Sequence, residues 1–161
     1  MIHFLDADFL IRAKNEHFQM DRVPEYWDWL VENGEAGDIK IPLPIYEEIM
    51  RGDDSLKKWL QKNKAEQLMD DPDALHVVSE ILSYYGNSLT EDQIEMIGSD
   101  PFLIAYASHH GGAVVTREVS KPSRVGHNRK IPDICLDTGV RLVREPELIR
   151  DLDFRTHGAR R

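Results

Sequence analysis

At 161 residues, 41% apolar and 30% charged, the chain is long enough to bury one core and too mixed in composition for a disordered or fibrous polymer. Its apolar runs fall far short of the ~20 residues that span a bilayer, no basic region leads into a long apolar stretch at the N-terminus, and Cys135 is the single cysteine; a cytoplasmic setting without membrane contact is the expectation. The net charge of −9 speaks against a surface that holds nucleic acid everywhere, but leaves room for a local basic strip.

Residues 2–6 read as a buried strand, a short apolar run stopped by Asp6. "ADFLIRAKNE" follows at helical spacing, with Asp6 or Asp8 available as cap. "PEYWDWLVENGEAG" predicts a second helix, whose Tyr26, Trp27, Trp29 and Leu30 suit core packing better than a base-stacking platform. "DIKIP" is a short alternating strand ended by Pro42. "LPIYEEIMRG" and "DSLKKWLQKN" predict helices, the latter with Leu56, Trp59 and Leu60 on one face.

The helical middle continues through "DALHVVSEILSYYG" and "TEDQIEMIG", which Thr90 opens in a capping position. "DPFLIAYASHHGG" places Asp100 as cap, Pro101 at the first helical position and glycines past the end. "AVVT" and "VRLV" are strands, "EPELIRDL" is a closing helix, and Cys135 in "IPDICLDTG" fits a small buried hydrophobe. Strands alternating with helices predict a three-layer α/β/α fold with a central, mostly parallel sheet. Neither a repeat nor a linker divides the chain. One domain is expected over 1–152, with a helical insertion at about 52–97 and a basic tail at 153–161.

In such a sheet ligands sit beyond the carboxyl ends of the strands. Asp6 ends the first strand, Glu118 lies two residues past Thr116, Asp100 opens the helix leading to "AVVT", and Glu47 and Glu48 follow the second strand. Each acid also has a structural account: a cap stabilises a helix by ~1 kcal/mol without catalysis. Their combination points further. Gathered carboxylates repel one another and persist where a cation neutralises them, and oxygen-only ligands favour Mg²⁺ or Mn²⁺ over zinc. That chemistry points to phosphoester hydrolysis. The seven histidines lack HExxH or CxxC spacing; His109 and His110, being adjacent, are not expected to share one helix face, so a histidine cluster would have to be built by the fold.

On these residues the chain resembles the PIN-domain nucleases, in their toxin-type (VapC-like) branch. "FLDADFLI", "IYEEI" and "SDPFLIAYASHHGGAVVTRE" are similar to the three blocks that carry that family's acids. The resemblance covers residues 2–10, 41–50 and 98–118 and extends loosely into the C-terminal strand. It implies that Asp6, Glu48 and Asp100 bind metal, with Glu118 as the fourth acid and Asp133 in "KIPDIC" as its substitute. Asp8 stands where relatives have a neutral polar residue, and Thr116 would fix the rotamer of an acid. The implied activity is endoribonuclease cleavage with Mg²⁺ (Mn²⁺ as substitute), in which water activated by one or two ions attacks an RNA phosphodiester. A cognate antitoxin and a homodimer are implied partners. Arg117, Lys121, Arg124, Arg129 and Lys130 are the expected RNA-binding strip, and the basic tail "RTHGARR" is a second candidate for partner contact.

Two alternatives use the same residues. In a haloacid-dehalogenase-like phosphatase Asp6 would be the nucleophile and Asp8 the acid/base. However, Leu10 occupies the place of the usual Thr or Val, and no acidic pair follows a later strand. In a non-catalytic interaction module the acids would be caps, and an acidic face would bind a basic protein.

Overall fold

The computed structural model describes residues 1–157. Strand β1 (His3–Leu5) runs into helices α1 (Ala7–Asn15) and α2 (Pro24–Ala36), then β2 (Ile39–Pro42), α3 (Leu43–Met50), α4 (Ser55–Lys62) and α5 (Lys64–Gln67). Strand β3 (Leu68–Met69) leads into a 3₁₀ turn (Pro72–Val77), α6 (Val78–Ser83), α7 (Glu91–Ile97) and α8 (Asp100–His110). Strand β4 (Ala113–Val115), α9 (Ile131–Thr138), β5 (Arg141–Val143) and α10 (Glu145–Asp151) complete the chain.

The five strands form one sheet in the order β3-β2-β1-β4-β5, and every pairing is parallel. Helices flank both faces, giving the expected three-layer α/β/α architecture. None of the described helices is long and apolar enough to cross a membrane. Phe4, Leu5, Ile39, Ile41, Val114 and Val115 are fully buried, as strands covered on both faces require. Tyr26, Trp27, Trp29 and Leu30 are core residues as predicted. Phe18 stacks on Tyr26 at 4.0 Å and Phe154 meets Tyr26 edge-on at 5.4 Å, so the chain still packs against the core beyond α10. Cys135 is buried, and burial pushes its thiol up to about 12, which suits packing rather than reactivity.

One element escapes the sequence reading. Strand β3 lies inside the segment expected to be a purely helical insertion; Gln67 just before it is buried and donates from its side chain to Leu30 O at 2.8 Å, tying the sheet edge to α2. The helix expected between "AVVT" and "VRLV" is α9, formed by "IPDICLDT" with Pro132 in its first turn. Thr90 forms the expected capping box with Gln93. The basic tail lies partly outside the described residues, which end before Gly158, Ala159, Arg160 and Arg161.

Gly112, between α8 and β4, is required by a close approach. A Cβ there would stand 2.4 Å from the Ile2 carbonyl oxygen and 3.0 Å from the Phe4 ring. That carbonyl also accepts the Ala113 N–H at 2.9 Å, so it cannot withdraw without breaking the pairing of β1 with β4. Gly112→Ala should therefore cost about 1–3 kcal/mol in urea unfolding. Gly86→Ala, whose Cβ would meet only the Leu89 side chain at 3.5 Å, should stay within about 0.5 kcal/mol of wild type.

Candidate functional site

The strand order reverses direction between β1 and β4: the chain moves outward from β1 through β2 to β3, then returns to the other side of β1. Such a switch point opens a crevice beyond the carboxyl ends of the two strands. Asp6 and Thr116 are the first residues past those ends.

Asp6 occupies the cap position of α1, but its side chain makes no capping bond. Its carboxylate is 6% exposed, and Oδ2 accepts a hydrogen bond from Thr116 Oγ1 at 2.9 Å. The same hydroxyl oxygen accepts the Glu118 N–H at 3.1 Å. One buried threonine therefore sets both the Asp6 rotamer and the course of the chain at Glu118.

Asp100 also departs from the capping role expected of it. Ser99 holds the cap position, Asp100 is the first residue of α8, and Pro101 follows as the second. Asp100 is half-buried, while Ser99 Oγ turns away to donate to the carboxylate of Glu48, which is exposed on α3. Glu118 is fixed from the other side: Oε2 accepts the Ile131 N–H at the start of α9 at 3.1 Å, and Oε1 lies 3.2 Å from Lys130 Nζ.

Glu48 and Glu118 act on both Asp6 and Asp100, and Asp6 acts on Asp100. Burial raises the Asp6 carboxyl to about 7; the Thr116 hydrogen bond opposes the shift, and Asp8, Glu118 and Glu48 add to it. Burial raises Asp100 to about 8, with Asp6, Glu118 and Glu48 adding to the shift and Lys130 opposing it. Asp6, Glu48, Asp100 and Glu118 thus form one electrostatic cluster. Asp8 is exposed, lies 3.8 Å from Arg12, and contributes to the cluster by its charge.

Asp133 has a different place. It is buried in the first turn of α9, accepts from the Ser120 hydroxyl and, at 2.9 Å, from the Lys121 N–H, and so holds the loop after β4. It is not among the charges that shift Asp6 or Asp100.

A polar cleft of about 180 Å³ adjoins the cluster, lined by Asp100, Glu118, Tyr85, Arg124, His127 and Lys130 among others. The expected basic strip divides here. Arg124 and Lys130 line the cleft, and Lys121 is exposed on the loop. Arg129 lines it too, but its guanidinium lies 2.6 Å from Asp137 and donates to Tyr84 O at 2.9 Å. Arg117 pairs with Glu16 at 2.9 Å and Glu145 at 3.8 Å, contacts to α1 and α10 rather than to the acids. Because side chains alternate at a strand end, Arg117 points opposite to its neighbours Thr116 and Glu118.

Three contributors had no signal in the sequence. Ser99 braces Glu48, and Arg144 Nη1 donates to Thr116 O and Glu118 O, holding the β4 exit. Tyr85 is buried, lines the cleft, and its hydroxyl has no hydrogen-bond partner. It sits in a helical stretch where nothing distinguishes it from core packing.

The fold and site define an α/β protein with an acidic cleft at the switch point of a parallel sheet. Residues 3–156 match the family described as Domain of unknown function (DUF4411), and the chain belongs to that family. No curated protein matches it.

The raised carboxyls set the pH dependence of stability in divalent-free buffer. An acid that holds its proton in the folded chain up to about 7 or 8 releases it near 4 once unfolded. Between those values the unfolded state binds fewer protons, so stability falls as pH rises from about 4 to about 8. Asp100→Asn removes one such group. Chemical denaturation should show it more stable than wild type at pH 8, on the order of 2 kcal/mol, with the gap closing toward pH 4.

Proposed function

We propose that the chain is a Mg²⁺-dependent endoribonuclease of PIN type, the toxin of a toxin–antitoxin pair, cutting RNA phosphodiester bonds in the cleft beside Asp6 and Asp100. The observation that carries this reading is the gathering at the β1/β4 switch point of buried Asp6, tied to Thr116, and of Asp100, both raised by burial and by the charges of Glu48 and Glu118. These acids come from the three sequence blocks that resemble the PIN nucleases.

The donor set suits a hard divalent cation. It is all oxygen, and it is partly buried. Of the four acids only Glu118 has a cationic side chain within ion-pair distance among the described residues. Asp6, Glu48 and Asp100, with Glu118, would hold Mg²⁺ or its substitute Mn²⁺. When bound, the ion supplies charge neutralisation at phosphoryl oxygens and acidifies coordinated water.

The chain's own residues supply orientation. Thr116 fixes Asp6 through its hydroxyl, and Ser99 fixes Glu48. Arg124 and Lys130 place positive charge at the edge of the cleft, where a phosphodiester backbone would lie. The resemblance adds a cognate antitoxin that covers the cleft, a homodimer, and a cytoplasmic setting. A phosphatase with Asp8 as acid/base is disfavoured, since Asp8 is exposed beside Arg12.

Purified chain incubated with labelled single-stranded RNA should cleave it with Mg²⁺ or Mn²⁺ and not with EDTA. Asp6→Asn and Asp100→Asn should each lower the rate at least 100-fold with the fold retained by circular dichroism. Arg117→Ala should change the rate less than threefold. Equal cleavage by wild type and the Asp6→Asn/Asp100→Asn double variant would remove the nuclease reading, as would the absence of cleavage in every divalent ion. Tight binding of a basic protein without cleavage would favour the interaction module.

A further inference from the structure

The two adjacent histidines, expected to diverge, converge at the end of α8. His110 Nε2 lies 2.7 Å and His109 Nε2 3.8 Å from the same oxygen, Oδ2 of Asp71. One ligand atom from each of the three residues lies within 4.8 Å of the others. The last turn of a helix ending in Gly111, in the left-handed conformation, brings both rings toward a carboxylate from the segment after β3.

The second observation concerns how these groups are held. Asp71 Oδ1 accepts the Asp73 N–H at 3.0 Å in its own helix cap, which leaves Oδ2 for the imidazoles. The Asp71 N–H donates to the Tyr106 hydroxyl at 3.2 Å, anchoring that residue to α8. The His110 ring packs beside Phe4, 5.7 Å between centroids, which fixes its plane. Its Nε2 is closed off from solvent and makes no aligned hydrogen bond, despite its nearness to Oδ2. Both Nε2 atoms thus face one carboxylate oxygen, an arrangement of donor atoms that suits a shared cation.

We propose that Asp71, His109 and His110 form a cation site separate from the Asp6–Asp100 cleft, taking a late first-row divalent ion of which Zn²⁺ is the type. Two imidazoles and one carboxylate are a donor set that zinc accepts and Mg²⁺ does not favour. Ligand nitrogens and oxygens about 2.0–2.2 Å from a tetrahedral zinc stand roughly 3.3 Å apart, within the spread seen here. His109 is exposed, so water completes the fourth position. The ion would join the 3₁₀ turn at Pro72–Val77 to α8 and so clip the helical middle of the chain onto the sheet layer. The site does not depend on the nuclease reading.

The test is titration of Zn²⁺ against a chromophoric chelator, in the Asp6→Asn/Asp100→Asn background so that the acid cleft does not compete. One equivalent should bind and should not be displaced by excess Mg²⁺. Adding Asp71→Asn and His109→Ala should weaken binding at least tenfold, and should remove the visible d–d bands of the Co²⁺-substituted protein. Asn keeps the helix cap and His109 is exposed, so both changes spare the fold. His109→Ala alone gives the same reading if the combined variant folds poorly. Unchanged affinity after these substitutions, or no saturable binding in the background chain, overturns the site.

Discussion

A single hydrogen bond, from the Thr116 hydroxyl to the Asp6 carboxylate, holds the ends of the two central strands in the arrangement on which the cleft depends. It follows from register. His3, Phe4 and Leu5 pair with Ala113, Val114 and Val115, so the next position along each strand sets Asp6 beside Thr116. The Asp6 N–H donating to Val115 O at 3.0 Å carries the ladder one step past β1. A slip of one residue would turn both side chains to the other faces and bury the wrong set. The fully buried Phe4, Leu5, Val114 and Val115 forbid that slip, so the apolar core determines where the acids stand.

Elsewhere, several charges are answered in pairs: Lys14 with Asp54, Arg117 with Glu16, Arg129 with Asp137. At the switch point they are not. Burial and like charge raise two carboxyls well above the usual carboxylate range, and Lys130, the cation that acts on Asp100, is already engaged by Glu118. A buried and a half-buried carboxyl without counter-ions oppose folding as pH rises and they ionise. A fold that tolerates such a conflict, while satisfying local rules elsewhere, concentrates its cost at one place, and such places are commonly functional.

The main sheet strands and the acids were legible because abrupt stops in apolar runs are visible in one dimension. What Asp6 does was not, because a helix cap and a metal ligand call for the same residue at the same position. Only its partner, Thr116 from 110 residues away, shows that the side chain is not spent on the cap. Asp100 and Ser99 are neighbours either of which could cap α8; Ser99 takes the cap position, yet its hydroxyl goes to Glu48 rather than to the helix. Strand β3 was hidden because two residues carry no periodicity. The basic segment read as one strip, yet pleat alternation sends Arg117 to Glu16 while Arg124 and Lys130 remain at the cleft. His109 and His110 were separated by helical geometry alone, and the carboxylate that brings them together comes from a distant segment.

The helical middle is more than a spacer between the acids. Its Tyr85, Met96 and Ile97 line the cleft on one side, and the β4–α9 loop supplies Arg124 and Lys130 on the other. Access to Asp100 is therefore set by how firmly the middle segment is seated. That segment is anchored at its start by the Asp71 contacts with Tyr106 and His110, well away from the acids, and near its end by Ser99 and Glu48. With a net charge of −9, the body of the protein repels a polyanion, but screening limits that repulsion to about 8 Å at physiological ionic strength. On the proposed nuclease reading, only the charges bordering the cleft would act on a backbone within it, and selection among substrates would rest on the shape of this two-sided entrance and its few cations.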